Sequence, residues 1–306
     1  MAQLIKLYDY ISRYEVNMFQ YPARYIRLKS EQWQDRHERF ENKGPADNRN
    51  PAKSEDIRED KSLTWKRFLP FKKSGEESGK AAPPLREGHP KTLKELKQEY
   101  LDQLFPFQLK WATTTIQKKS FLNPAYKSDP LLTYYLQRFP DTYLLMYQPV
   151  ANMKKTQVEM DNILISPHGL DIVTYINAEP GEIVYPGPGH TWMIEKDGHQ
   201  RKILNPLISL KRTETFVRSV LDKYTINFPY QKVILAPELN FDNTQKPYST
   251  IYVGKELYSG WLYEKRKEPS PLKHNQLKTA DALLRHCWTS AVRRAEWDTE
   301  QQLKEE

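Results

Sequence analysis

Glu159-Met160-Asp161-Asn162-Ile163-Leu164-Ile165-Ser166, then Pro167-His168-Gly169, then Leu170-Asp171-Ile172-Val173-Thr174-Tyr175-Ile176-Asn177 with Gly181 beyond, is the stretch that decides how this chain reads. Both runs are rich in β-branched and aromatic residues, and the Pro/Gly link between them has hairpin-turn chemistry, so two adjacent strands are predicted. A carboxylate that opens an apolar strand, beside a hairpin neighbour bearing a second acid and a lysine two residues apart, is one way a phosphodiesterase holds Mg²⁺. Period two puts such an acid and lysine on one face of the sheet. The acids hold the ion, the ion polarises the phosphate and activates water, and the lysine neutralises developing charge. Asp161 supplies the first acid, and the other half of the set is missing.

Working outward, Asp129 precedes Leu132, Leu136 and Phe139 at helical spacing, and Thr142 to Gln148 reads as a strand. After Asp161 come Ser166-Pro167-His168-Gly169, Asn177, Trp192 and Asn205-Pro206-Leu207. In this order and spacing, roughly residues 125 to 237 resemble the nuclease-related domain (NERD) of bacterial proteins, a branch of the PD-(D/E)XK nuclease-like superfamily. The resemblance implies an α/β fold with a restriction-endonuclease-like core, a mixed β-sheet flanked by helices. It also implies a Mg²⁺-dependent site with Asp129 and Asp161 as metal ligands.

Laid on the family pattern, the Glu of Glu-x-Lys falls on Thr174, its Lys on Ile176, and the glutamine after Asn-Pro on Ser209. A threonine hydroxyl is a poor substitute for a carboxylate at a hard cation, and isoleucine carries no charge or hydrogen-bonding group. The segment after Asn177 is one residue longer than the pattern, so Glu179 is a candidate displaced acid if a bulge turns the strand. Lys196 and Lys202 are the candidate relocated cations.

The chain has 306 residues and a net charge of +8, unevenly spread. Residues 151–200 hold 3 Lys/Arg against 7 Asp/Glu, whereas residues 1–150 hold 26 against 19 and residues 201–250 hold 8 against 4. An acidic metal site ringed by phosphate-attracting residues would look like this, and so would ordinary solvated charge. No apolar run approaches a membrane span, and the amino terminus lacks the plan of a signal peptide, so a cytoplasmic protein is expected. The single cysteine, Cys287, excludes an internal disulfide and a cysteine zinc site, and reads as a buried, inert thiol in a helical pattern.

Residues 1–41 read as helical, with a stripe at Leu4, Leu7, Tyr8, Ile11 and Tyr14 and a second start near Ser30 and Trp33 after Pro22. Residues 42–91 are mixed-charge and Pro/Gly-containing, and disorder is expected there. Within them Leu63-Thr64-Trp65-Lys66-Arg67-Phe68-Leu69-Pro70-Phe71-Lys72-Lys73 mixes aromatic and basic residues as a partner or single-stranded nucleic-acid segment would. Residues 92–254 form the nuclease-like domain with leading helices, Pro106 breaking or restarting the helix before Trp111. Residues 255–306 read as a helical carboxyl-terminal extension.

His168, His190 and His199 lack metal-motif spacing, Gly187-Pro188-Gly189 lacks a phosphate loop's lysine, and no nucleophile motif is present. The leading expectation is therefore a NERD-like protein that has lost nuclease catalysis, needs no cofactor, and uses its scaffold to bind DNA, RNA or a protein. One alternative is an active Mg²⁺-dependent DNA/RNA phosphodiesterase using Asp129, Asp161, Glu179 and Lys196 or Lys202. Another is a structural interaction module docking through its terminal helices.

Overall fold

The computed structural model describes residues 1–43, 92–153, 156–177, 179–242, 247–267 and 270–293. They belong to two compact units, residues 1–34 with 100–306, and residues 35–99. In the second unit the described residues are the last turns of one helix and the first of the next. There Thr92 and Glu95 form a reciprocal capping box, with the Glu95 N–H donating to Thr92 Oγ1 at 3.2 Å and the Thr92 N–H to Glu95 Oε2 at 3.3 Å. The expected linker beyond residue 43, with its aromatic and basic run Leu63 to Lys73, lies outside the described residues.

The elements begin with β1 (Gln3–Leu7), α1 (Tyr21–Lys43), α2 (Leu93–Trp111), β2 (Lys118–Lys119), α3 (Pro130–Arg138) and β3 (Leu144–Tyr147). They continue with β4 (Val150–Met153), β5 (Thr156–Glu159), β6 (Asn162–Ile165), β7 (Leu170–Tyr175), β8 (Ile183–Tyr185), β9 (Thr191–Lys196) and β10 (His199–Leu204). Last come α4 (Pro206–Lys223), β11 (Tyr230–Leu235), β12 (Asn240–Phe241), β13 (Thr250–Val253), α5 (Lys255–Lys267), α6 (His274–Leu284) and β14 (Val292–Arg293).

The fold is α/β around a six-stranded mixed sheet in the order β1-β3-β6-β7-β11-β13. β6 is antiparallel to both neighbours, while β1 with β3, β7 with β11 and β11 with β13 are parallel. Alternation along the strands divides the side chains between two helical layers. Leu145, Leu164, Val173, Val233 and Val253 join Leu104 and Leu109 of α2 and Leu132, Tyr135 and Leu136 of α3 in one core cluster. On the opposite face α4 packs on β7 and β11, and α6 packs on α4. Each such buried aliphatic side chain contributes about 1.5–3 kcal/mol, so the doubly covered sheet dominates the stability of this unit. A second sheet, β10-β9-β8-β12, buries Trp192, whose indole N–H donates to the Gly187 carbonyl at 2.9 Å.

Several expectations are corrected. Among the described residues beyond 254, α5 packs against β13 of the main sheet, α6 packs on α4, and β14 pairs with β2. Pro106 lies inside an unbroken α2. Cys287 is buried as expected, its thiol pushed up to about 12 by burial. No helix among the described residues is long and apolar enough to cross a membrane.

The largest correction is at the amino terminus, where the predicted helix begins as β1, a fully buried strand parallel to β3, and α1 starts only at Tyr21. Leu4 and Leu7 fit a helical stripe, but Gln3 before them and Ile5 and Lys6 between them are buried too, which is the signature of a strand covered on both faces. Lys6 is accommodated because its ammonium donates to Tyr10 O (2.9 Å), Glu15 Oε1 (2.7 Å) and Thr289 Oγ1 (2.7 Å). β1 is an edge strand, and the buried Gln108 of α2 pairs with its backbone. Gln108 Oε1 accepts from the Leu4 N–H at 2.9 Å, and its Nε2 donates to Ala2 O at 2.6 Å and to Tyr25 Oη at 2.8 Å. Gln108→Leu, which leaves these groups buried without partners, is expected to lower stability by about 2–4 kcal/mol in urea unfolding; an unchanged midpoint would show that the amide does not hold the edge.

Candidate active site around Asp161

Asn162 pairs with Val173 across the β6–β7 hairpin, so the next position along brings Asp161 opposite Thr174. Thr174 Oγ1 donates to Asp161 Oδ1 at 2.6 Å. The face they share is covered by α4, whose first turn is set by Asn205-Pro206: Asn205 Oδ1 accepts from the Leu207 N–H at 3.0 Å, and proline occupies the first helical position. Asn205 Nδ2 also donates to Gly189 O at 2.7 Å, tying the helix start to the turn before β9.

Ser209 and Thr213 are four residues apart on α4 and therefore share a face. Ser209 Oγ donates to Asp161 Oδ1 at 3.1 Å and lies equally close to Pro206 O, so its single proton is shared between two acceptors. Thr213 Oγ1 donates to Asp161 Oδ2 at 2.9 Å and accepts from the Asp161 N–H at 3.0 Å. Three hydroxyls from two elements thus converge on one half-buried carboxylate. On the other side, Asn162 Oδ1 accepts from the Gln148 N–H at 3.0 Å, and Gln148 has a φ of 45°. The Tyr135 hydroxyl lies beside the Asn162 side chain, buried and without a well-aligned hydrogen bond; burial holds its phenol far above the usual range.

Asp161, Thr174 and Ser209, singled out from sequence, meet here. The other candidates do not. Ile176 lies just past β7, buried, with its N–H donating to Leu235 O at 2.9 Å, so no cation stands there. Asp129 caps α3: Oδ1 accepts from the Leu131 and Leu132 N–H groups at 2.9 and 3.0 Å, and Oδ2 accepts from Tyr147 Oη at 2.8 Å. Glu179 is exposed and takes a hydrogen bond from Lys196 Nζ at 2.8 Å, away from the hydroxyl cluster. No bulge returns it to Asp161, because β7 ends at Tyr175 and the chain then turns toward β8. Lys202 is exposed on β10 opposite Met193.

Glu182, just before β8, is buried and accepts from Arg201 Nε and Nη2 at 2.9 and 2.8 Å; those bonds hold its carboxyl below the ordinary range. Among the described residues no group of three or more His, Cys, Asp or Glu is placed to hold a metal ion. One carboxylate already engaged by three neutral donors does not fit Mg²⁺, which is bound through carboxylates in a strict octahedron. Thr213 escaped the sequence reading; its signal was its position one turn beyond Ser209 on a helix whose cap was recognised.

No family model matches the chain, and no solved structure matches it. A curated RNA 2',3'-cyclic phosphodiesterase from Geobacillus stearothermophilus is 39% identical over 115 residues, which is 35% of this chain and 36% of that protein. The chain therefore spans about a third of the length of the curated relative it matches. This match corrects the expectation of a pseudonuclease, a non-enzyme that only binds, because the similar protein is a phosphodiesterase. The nuclease-related-domain resemblance has no family model behind it.

Thr213 has the structural share of the cluster, since it satisfies both the backbone and the side chain of Asp161. Thr213→Val preserves shape and removes both bonds, and is expected to cost about 1–3 kcal/mol in chemical denaturation. A loss below the error of the measurement would mean that the carboxylate is held by Thr174 and Ser209 alone.

Proposed function

We propose that the chain is a phosphodiesterase acting on RNA, built on a restriction-endonuclease-like core and reacting at Asp161. The observation that carries this reading is the 39% identity to an RNA 2',3'-cyclic phosphodiesterase. What supports the finer statement about the core is the succession α3, three antiparallel strands β3, β6 and β7, α4, and then β11 parallel to β7. What supports the site is the meeting of Asp161 with Thr174 and Ser209, the positions at which that kind of core places its reacting groups.

In this reading Asp161 is the general base. It takes a proton from a water that adds to phosphorus, the bond from phosphorus to one ribose oxygen breaks, and the proton passes on to that oxygen, giving a phosphomonoester. Thr174, Ser209 and Thr213 orient the carboxylate, so that a base of fixed geometry meets the water. Because the residues at Asp161 do not fit Mg²⁺, no step is assigned to a metal.

The test is turnover of a 2',3'-cyclic nucleotide and of single-stranded RNA by the purified chain, with Mg²⁺ and with EDTA, beside Asp161→Asn. Turnover is expected in both media and is expected to fall by at least about 100-fold in Asp161→Asn, the scale of a lost general base. Absence of turnover on either substrate, or turnover indifferent to Asp161→Asn, overturns the proposal. Turnover that needs added metal contradicts the reading of the donor set.

A further inference from the structure

β2 and β14 form a two-stranded ribbon in which Lys118 pairs with Arg293 and Lys119 with Val292, all exposed. Beside it Phe121 is 74% exposed, with Lys119 Nζ 5.6 Å from its ring centroid. Among the described residues none of the three basic groups is in a salt bridge. The ribbon is not a loose appendage. Ser120 Oγ accepts from the Ile11 N–H at 2.9 Å and donates to Ser290 O at 2.5 Å, and the Ser290 N–H donates to Asp9 O at 2.7 Å.

From Phe121 a row of aromatic rings leads inward. The Asn123 N–H donates to Tyr10 Oη at 3.2 Å, Tyr10 meets Tyr126 edge-on at 6.0 Å, and Tyr126 meets Tyr147 at 6.4 Å. Tyr147 in turn lies 6.4 Å from the fully buried Tyr135, so the row ends in the core layer under α2 and α3. Tyr10 and Tyr126 are partly buried, packed against the core beneath the ribbon. The Tyr126 phenol is pushed up to about 12, chiefly by burial and then by Tyr10, Tyr8, Glu159 and Asp129.

We propose that this surface, Lys118, Lys119 and Arg293 with Phe121 and the partly buried Tyr10 and Tyr126, is a binding track for single-stranded RNA. The inference rests on the RNA-phosphodiesterase reading for the identity of the strand. Unneutralised lysine and arginine attract the backbone without regard to sequence, and exposed aromatic faces stack bases, a pairing that suits an unpaired strand and not a duplex, whose bases are already stacked.

The experiment is fluorescence anisotropy of a labelled oligouridine RNA of about 12 nucleotides with the full chain carrying Asp161→Asn, titrated between about 50 and 200 mM KCl. The substituted positions are exposed, so thermal unfolding should be unchanged and serves as the folding check. Lys118→Glu with Lys119→Glu is expected to weaken binding at least about tenfold and to flatten the salt slope by about 1.4, the share of two single-strand phosphates. Phe121→Ala is expected to weaken binding by about tenfold with the slope unchanged, as loss of one stacked base does. Lys278→Glu on α6 should leave the affinity alone. Equal affinity in all variants, or equal competition by duplex RNA, overturns the track. If wild-type turnover is present while these variants bind normally, the track fails and the enzymatic reading stands; if turnover is absent but binding follows the variants as described, the enzymatic reading fails and the track stands.

Discussion

Asn162 against Val173 and Ile165 against Leu170 set the register of the β6–β7 hairpin, and that register places Asp161 across from Thr174 on the face covered by α4. A slip of one residue would send every side chain of β6 to the other layer. Asp161 would then point into the cluster of Leu132, Tyr135 and Leu136, and a neighbour of Asp161 in the chain, Met160 or Asn162, would face Ser209. The apolar alternation of both strands makes such a slip costly, because Ile163 and Ile172 on one face and Leu164 and Val173 on the other are all fully buried. The site is thus a consequence of core packing: the interactions that stabilise the sheet also determine which carboxylate meets α4.

Around that carboxylate the neighbours are hydroxyls: Thr174, Ser209 and Thr213 each donate to Asp161. Hydrogen bonds to a carboxylate are individually worth more than neutral pairs, and together they fix the direction of its lone pairs. This arrangement suits proton transfer from an oriented water better than capture of a hard cation. The other acids of the region have work of their own: Asp129 caps α3, Glu182 holds Arg201, and Glu179 pairs with Lys196.

Much of this was legible in the chain. The hairpin, the helix opened by Asn205-Pro206 and the helix behind Asp129 each carry local signals that do not depend on the rest of the fold. Asp161, Thr174 and Ser209 were legible as positions because a strand has period two and the helix start was recognisable. Asp129, expected as a metal ligand, is the N-cap of α3; an aspartate before Pro130 suits either role, and sequence alone does not tell the two apart. β1 was misread because Leu4, Leu7 and Ile11 fit a helix, whereas the partners that make it a strand, Gln108 and the β3 backbone, lie about a hundred residues away or more. Pro106 within α2 and the choice of Thr213 are likewise settled by packing between distant segments. The expectation of lost catalysis, which the similarity to a phosphodiesterase corrects, arose because absent acids were equated with absent chemistry.

The central claim is that Asp161 and its hydroxyls act as one reacting unit. A double-mutant cycle of Asp161→Asn and Thr174→Val, read as kcat on a 2',3'-cyclic nucleotide, tests it most directly, because groups that act together lose their effects together. The account predicts that Thr174→Val slows the wild-type chain but adds nothing to Asp161→Asn. Losses that multiply independently in the double variant would contradict it.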